Sequence, residues 1–406
     1  MKNKKMISVL MTGVLAAGML AGCGSSSSTA ASTAASTAAG ESTAAEATAS
    51  GDVEEFNLWA TGSDNVRAIF ETLTEDFNNN SEYAGKYKVN LNFLLSGTGA
   101  ASMTDGLVAA YKANQTNTEY DIVDFSGDDL SKVVGQIGEE SFVKLDDSKI
   151  PNNASIAAES SVATDYVQPY RGTTVVLAYD SEKVTNVPTT WDELTQWIKD
   201  NPGRFAYNQP GTGGAGDSFA RTSVYNFLPT EAFTSDDASW EDQWDEGFAY
   251  LAELHPFMYQ SGGSVVYPAK NQGTLDLLNQ GEIDMCPNWA DMVLSQRASG
   301  EIKDTIKITQ ITDLPLTGSL QTLAIPTIGS HEEAAYAFMN YMVSEQAQQI
   351  MVEQMAAIPL IDTTNMDLAG YEDLENLDVS NFRIQSIGDL STDFNEKWDN
   401  EIATLG

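Results

Sequence analysis

Trp59, Thr61 and Ser63 fall in one short run of the chain, and Asn288, Trp289 and Asp291 in another. Such groupings could hold a small molecule or could simply build the fold. An indole stacks on a sugar, a heterocycle or a cation, and the hydroxyl, amide and carboxylate groups beside it orient what is bound. Other positions offer related chemistry. Thr98 and Gly99 combine a hydroxyl with close approach to backbone amides. Ser126, Gly127 and Asp128 can bond a hydroxyl or an ammonium. Tyr170 and Arg171 can grip a carboxylate or phosphate. Asn208 and Gln209 lead into a glycine-rich run with Gly211, Gly213 and Gly214, able to hold an anion through amides or to act as a plain turn. Tyr267 can line an opening, and Arg221 and Asn226 extend the set. Each has a structural alternative: the tryptophans as core, Asp128 as a helix cap, Arg171 in a surface ion pair.

Catalysis finds little support. The only histidines are His255 and His331, and neither accompanies a Gly-x-Ser-x-Gly elbow. The run from Gly211 to Gly216 lacks the lysine of a phosphate-binding loop and the spacing of a dinucleotide fingerprint. With two cysteines far apart, Cys23 and Cys286, neither a zinc cluster nor a disulfide scaffold can be built. No metal, no cofactor and no catalytic residue is therefore expected. Acids are so abundant that a carboxylate pair for a secreted hydrolase could always be drawn, which keeps that as a rival reading without specificity.

Recognition residues of this kind must sit on loops at the ends of regular elements. Glu55–Trp59, Val89–Phe93 and Tyr120–Phe125 read as strands. Helical stripes separate them, the first from about Asn65 to Asn78 and the second through Met103, Leu107, Val108 and Tyr111. Thr173–Tyr179 is a marked apolar strand. Thr190, with Glu193 three residues on, opens a helix with a capping box, and Pro202-Gly203 closes it. Phe205–Tyr207 reads as a short strand, Ser218–Phe227 and Trp240–Leu254 as helices. Then come a helix over Asn271–Gln280, a strand over Ile283–Cys286, a helix over Ala290–Arg297 and a strand over Thr305–Ile311. A turn at 316–319 precedes a strand over Leu323–Pro326, and two helices follow, Glu332–Val343 and Ser344–Gln354. The acidic tail from Asp362 reads as surface helices and loops. Strand–helix alternation of this kind implies α/β architecture with mostly parallel sheets flanked by helices.

The 406 residues suggest two domains or three, and 42% hydrophobic content is enough for sizeable cores. With 21 basic against 58 acidic residues the formal charge is −37, which excludes a nucleic-acid partner and adsorption of the folded body to an anionic bilayer. The N-terminus is an address. Lys2, Lys4 and Lys5 precede an apolar run from Met6 to Ala21, too short to span a bilayer and suited to a secretion signal. The run ends Leu20-Ala21-Gly22-Cys23, which resembles the bacterial lipobox. That resemblance implies cleavage before Cys23 and lipidation of its thiol. Residues 24–50, almost wholly Ser, Thr and Ala, read as a flexible tether.

The order of several pieces resembles the bacterial family 1 extracellular solute-binding proteins, the lipid-anchored or periplasmic receptors of ABC importers. These pieces are the lipobox, the first strand–helix units, Val175-Val176-Leu177-Ala178-Tyr179, Pro188-Thr189-Thr190-Trp191-Asp192-Glu193-Leu194, and Gly273-Thr274-Leu275-Asp276-Leu277-Leu278. Gly281-Glu282-Ile283-Asp284-Met285 and the paired helices after Ile325-Pro326 complete the series, to about residue 360. The resemblance implies a two-lobed periplasmic-binding-protein-like type II fold closing on solute about a hinge. It assigns 51–180 with 321–360 to lobe 1 and 181–320 to lobe 2, leaving the lobe of 361–406 open. It implies a small-molecule solute, an ABC permease and ATPase as partners, a monomer, membrane contact through the lipid alone, and an extracytoplasmic location. Trp59 and Trp289 would then face each other across the cleft and sandwich a saccharide, a thiamine-like ring or an amine. Asp128 and Asp291 favour a cationic or hydroxyl-rich solute, while Arg171 and Arg221 favour an anionic one. A lipid-anchored sensor or adhesin on the same scaffold remains the alternative to import.

Overall fold

The chain divides into two units, Met1–Thr48 and Ala49–Gly406. The computed structural model describes residues 53–95, 103–156, 163–378 and 382–405, all within the second unit. Cys23, Thr98 and Gly99 lie outside the described residues.

The first half builds β1 (Glu54–Gly62), α1 (Asp64–Asn80), β2 (Tyr87–Leu95), α2 (Met103–Lys112), β3 (Ile122–Phe125) and α3 (Gly127–Ile137). Strand β1 pairs in parallel with β2 and with β3. Alternation along β1 sends Phe56, Leu58 and Ala60 to one face, where they pack with Ile69, Phe70, Leu73 and Phe77 of α1. Val123 and Phe125 of β3 face the other way, toward Leu107 of α2 and Leu130 and Val133 of α3. Helices thus cover both faces of a parallel trio.

Strand β4 (Val167–Asp180) leaves this layer and is buried along almost its whole length. Beyond it come α4 (Trp191–Asp200), α5 (Gly214–Tyr225), α6 (Asp245–Leu254), a small hairpin of β5 (Gln260–Ser261) and β6 (Ser264–Val265), α7 (Lys270–Gln280), β7 (Met285–Trp289), α8 (Ala290–Ala298) and β8 (Ile306–Thr309). Helix α4 starts as its sequence requires. The Thr190 side chain accepts from the Glu193 amide, and Glu193 returns a bond to the Thr190 amide. Strand β9 (Gly318–Ala324) returns the chain, followed by α9 (Glu332–Met342), α10 (Glu345–Met355) and α11 (Leu390–Glu401).

The main sheet runs β2-β1-β3-β9-β4-β7, with β8 also on β4. Only the first three strands are parallel. Strand β9 is antiparallel to β3 and β4, and β4 is antiparallel to β7 and β8. The expectation of mostly parallel sheets therefore holds for the first strands alone, because β9 comes back between β3 and β4 instead of arriving through a crossover helix.

The side chains form separate cores along this continuous sheet. One gathers α1, α9 and β1. A second gathers Val175, Leu177, α4, α5 and α6. The N-terminal part of β4 pairs with β9, and its C-terminal part pairs with β7 and β8, so β4 and β9 connect the two regions. Three expectations need correction here. Phe205 makes only isolated bridges, to Met258 and Met285, and no strand forms over Phe205–Tyr207. The strand placed at Leu323–Pro326 starts upstream at Gly318, because residues read as a turn pair with β4 from Gly318 onward. The acidic tail is not merely surface: Phe394 and Trp398 of α11 are fully buried in the second core.

Candidate functional site

Strand β3 ends beside β9, β9 pairs antiparallel with β4, and β4 pairs with β7, which passes into α8. Ser126 caps α3: its hydroxyl accepts from the Asp129 amide at 3.2 Å and donates to the Asp129 carboxylate at 2.9 Å. The cap is thus Ser126 and not Asp128, whose side chain lies outside the described set. The Gly127 amide donates to Ser319 Oγ of β9 at 3.4 Å, which ties the end of β3 to a connecting strand.

Arg171 lies within β4, at the irregular step between Pro169 and Arg171 in its pairing with β9. It is 5% exposed. Two carboxylates act on it, Asp124 of β3 and Asp291 of α8. Burial alone would lower its pKa, but Tyr170 and the two acids together raise it. Asp124 is 1% exposed and accepts from the Tyr170 hydroxyl at 2.8 Å. Burial pushes its carboxyl up to about 7, even with Arg171 and Tyr170 pulling the other way. Burial also raises the Asp291 carboxyl, again against the pull of Arg171. Three buried charged residues, two acids and a base, therefore act on one another electrostatically around β4.

Around this group the fold holds its loops tightly. Trp289 pairs with Val175, is half-buried, and lies against the N-terminus of α5, where a Cβ on Gly214 would fall 2.9 Å from its ring. Asn208 and Asn288 are fully buried and spend their amides on the loops: Asn208 Nδ2 donates to Gly213 O at 2.8 Å, and Asn288 Nδ2 to Asn271 O at 3.0 Å. Only glycine fits at 216, since a Cβ would meet Asn208 O at 1.8 Å. The glycine-run amides are engaged internally, Gly211 with Asp217 and Ala215 with Asn271. That favours its reading as a packed turn over an anion cradle.

The remaining candidates are dispersed. Thr61 donates to Leu94 O at 3.0 Å, and Ser63 precedes α1 at the exposed end of β1. Trp59 is turned toward the α2 side, where its indole N–H donates to Glu119 O at 2.9 Å and its ring meets Tyr120. It lines a surface hollow of about 750 Å³ with the 114–120 loop. The expected pairing of Trp59 and Trp289 is not formed: each packs against a different core, because alternation along β1 sends Trp59 to the α2 face. Tyr170 is buried in the first core. Tyr267 packs on Tyr207 and Trp398, with its hydroxyl 2.9 Å from His255 Nδ1, which places it in the second core instead of at an opening. Gln209 donates to Asp399 of α11. Arg221 sits 3.6 Å from Asp217, and Asn226 is an exposed residue after α5.

Sequence reasoning missed Asp124, whose signal was an acid inside the apolar run Ile122-Val123-Asp124-Phe125. It also missed Phe382 and Arg383. Cβ atoms on Gly172 of β4 and Gly318 of β9 would fall 3.0 and 2.6 Å from the Phe382 ring, so this segment lies directly on both connecting strands. Among the described residues no group of His, Cys, Asp or Glu is arranged to hold a metal ion, and no helix is long and apolar enough to cross a membrane.

Residues 99–368 match the family model described as bacterial extracellular solute-binding protein. No curated protein matches the chain. Solved structures with a similar fold include an extracellular solute-binding protein from Bordetella parapertussis, 16% identical, with a TM-score of 0.60 over 86% of this chain and 99% of that one. The spermidine/putrescine ABC transporter substrate-binding protein of Streptococcus pneumoniae is 17% identical, with a TM-score of 0.58 over 86% and 99%. The apo ferric ion-binding protein A of Pasteurella haemolytica is 13% identical, with a TM-score of 0.60 over 86% and 98%.

Proposed function

Because the chain belongs to the bacterial extracellular solute-binding protein family, we propose that it captures a small polar solute at the junction of its two cores and presents it to an ABC permease. One observation carries this reading. Arg171, buried on a connecting strand, is acted on by Asp124 of β3 and by Asp291 of α8, so a solute bound there acts on elements of both regions at once. Burial makes such contacts strong and makes unpaired groups costly, which is the condition for selective binding.

In this reading β4 and β9 serve as the hinge, and binding favours a closed form that the permease recognises. Cys23 carries the lipid, residues 24–50 let the folded body stand off the membrane, and the receptor works as a monomer without chemistry of its own. The acidic surface then serves solubility.

Thermal-shift screening tests the proposal. The purified chain is heated with sugars, polyamines, thiamine derivatives, amino acids and organic acids. A ligand present at a hundred times its Kd stabilises the native state by about 2.7 kcal/mol, a readable rise in melting temperature. A flat response to the whole library at millimolar concentration would refute the receptor role.

A further inference from the structure

Among the buried polar atoms with no hydrogen-bond partner among the described residues, Asp291 Oδ1 and Arg383 Nη1 belong to an acid and a base, whereas Gln168 Oε1 on β4 is neutral. Asp291 is 8% exposed and stands in the first turn of α8, just after Trp289. Arg383 lies on the segment that bridges to Thr317, and its carbonyl accepts from the Gly318 amide at 3.0 Å. Its guanidinium is held 4.0 Å over the Phe233 ring. Burial alone brings its pKa down to about 10, with no carboxylate acting against it. In a chain with 58 acids and 21 bases, a buried arginine N–H without an acid is the opposite of what surface pairing would produce. Arg383 as a whole is half-buried, and a buried donor left without a protein partner marks a place that water, an ion or a ligand can complete.

Register places these two groups on opposite flanks of the connecting strands. Trp289 pairs with Val175, Thr174 with Gly318, and Thr317 with Arg383. The chains that carry Asp291 and Arg383 are thus three strand spacings apart, roughly 14 Å at about 4.8 Å per spacing. Other charged groups nearby have partners: Asp124 accepts from Tyr170, Asp129 is engaged by Ser126, and Arg221 lies beside Asp217, which leaves Asp291 and Arg383 as an acid and a base with open atoms. A diamine would bring a cation against Arg383. A dicarboxylate would bring an anion against Asp291. A molecule with one charge of each sign at its two ends satisfies both, and the Trp289 ring offers its methylenes an apolar wall.

We propose that the solute is a zwitterion with its ammonium and carboxylate at opposite ends of a short chain, the ammonium bound by Asp291 and the carboxylate by Arg383. This rests on the solute-receptor reading above.

The test is calorimetric titration of the purified chain with a length-matched set: 5-aminopentanoate, 1,5-diaminopentane and glutarate, together with β-alanine. The amino acids should bind at least tenfold more tightly than the diamine or the diacid. Arg383→Gln and Asp291→Asn should each weaken amino-acid binding by about fiftyfold, the loss expected for a charge-assisted contact. Arg383→Gln should also leave the melting temperature of the ligand-free protein unchanged or raised, which a purely structural arginine would not do. If that variant does not fold, Arg383→Lys keeps the charge without the fork and should still lose about tenfold. Tighter binding of the diamine or the diacid, or amino-acid binding indifferent to Arg383, would overturn the proposal. Binding of a sugar or another library solute with none of this set would overturn it while leaving the receptor role standing. Silence toward every solute would overturn both.

Discussion

Replacing Asp124 by Asn should make the protein's stability less sensitive to pH. The Asp124 carboxyl titrates near 7 in the fold, against an ordinary value of 3.8. The folded state therefore holds its proton where the unfolded chain has already released it. Stability linked to this group is greatest below pH 4, falls as pH rises, and levels off above pH 7. A difference of about three units corresponds to roughly 4 kcal/mol between those limits, an upper figure because interior relaxation softens it. Asn resembles the protonated carboxyl in shape, and its oxygen can still accept from the Tyr170 hydroxyl. Urea unfolding followed by tryptophan fluorescence at pH 5 and pH 8 measures the effect, and the other acids cancel when the two proteins are compared. The variant should gain on the wild type between those pH values by about 2 kcal/mol, and at pH 8 it should be the more stable protein. Parallel stability curves for the two would refute the claim that burial dominates Asp124 over its attraction to Arg171.

Trp398→Ala empties a fully buried site in the second core and breaks the bond from its indole to the Tyr207 hydroxyl, so stability should fall by about 3–5 kcal/mol in chemical denaturation. Gly318→Ala would collide with Phe382 and should cost about 1–3 kcal/mol, whereas Gly318→Ala in a Phe382→Ala background should cost less, a positive coupling readable in a double-mutant cycle. Thr190→Ala removes the capping box of α4 and should cost about 1 kcal/mol. Lipidation at Cys23 should appear as a mass increase in the intact membrane-extracted chain and vanish in Cys23→Ser; a free thiol there would count against the anchor.

The local elements were largely legible from residue order. Val66, Ile69, Phe70, Leu73 and Phe77 recur at helical spacing, and all are buried on α1. Thr190 and Glu193 form the capping box their spacing required. The candidate site was legible only in part. Arg171 and Asp291 were recognised as chemically capable, and they do share one buried group. Trp59 was read from its place near a strand end, but the face of β1 it occupies turns it to the α2 side. Tyr267 reads from sequence as a residue that can line an opening, and only the docking of Trp398 makes it part of a core. The tail from Asp362 is rich in acids, so its apolar stripe Leu390, Phe394 and Trp398 was outweighed by composition.

Residue order alone was enough for the architecture class, most helices and strands, and the resemblance to a solute-receptor family, since periodicity and capping act within a few residues of one another. It was silent on the meeting of Asp124, Arg171 and Asp291, and on the return of Phe382 and Arg383 across Gly172 and Gly318. Those partners lie far apart along the chain. Which of them meet, and which buried charge is left without a counterpart, depends on the antiparallel return of β9 between β3 and β4, and desolvation acts only on groups that packing has already enclosed.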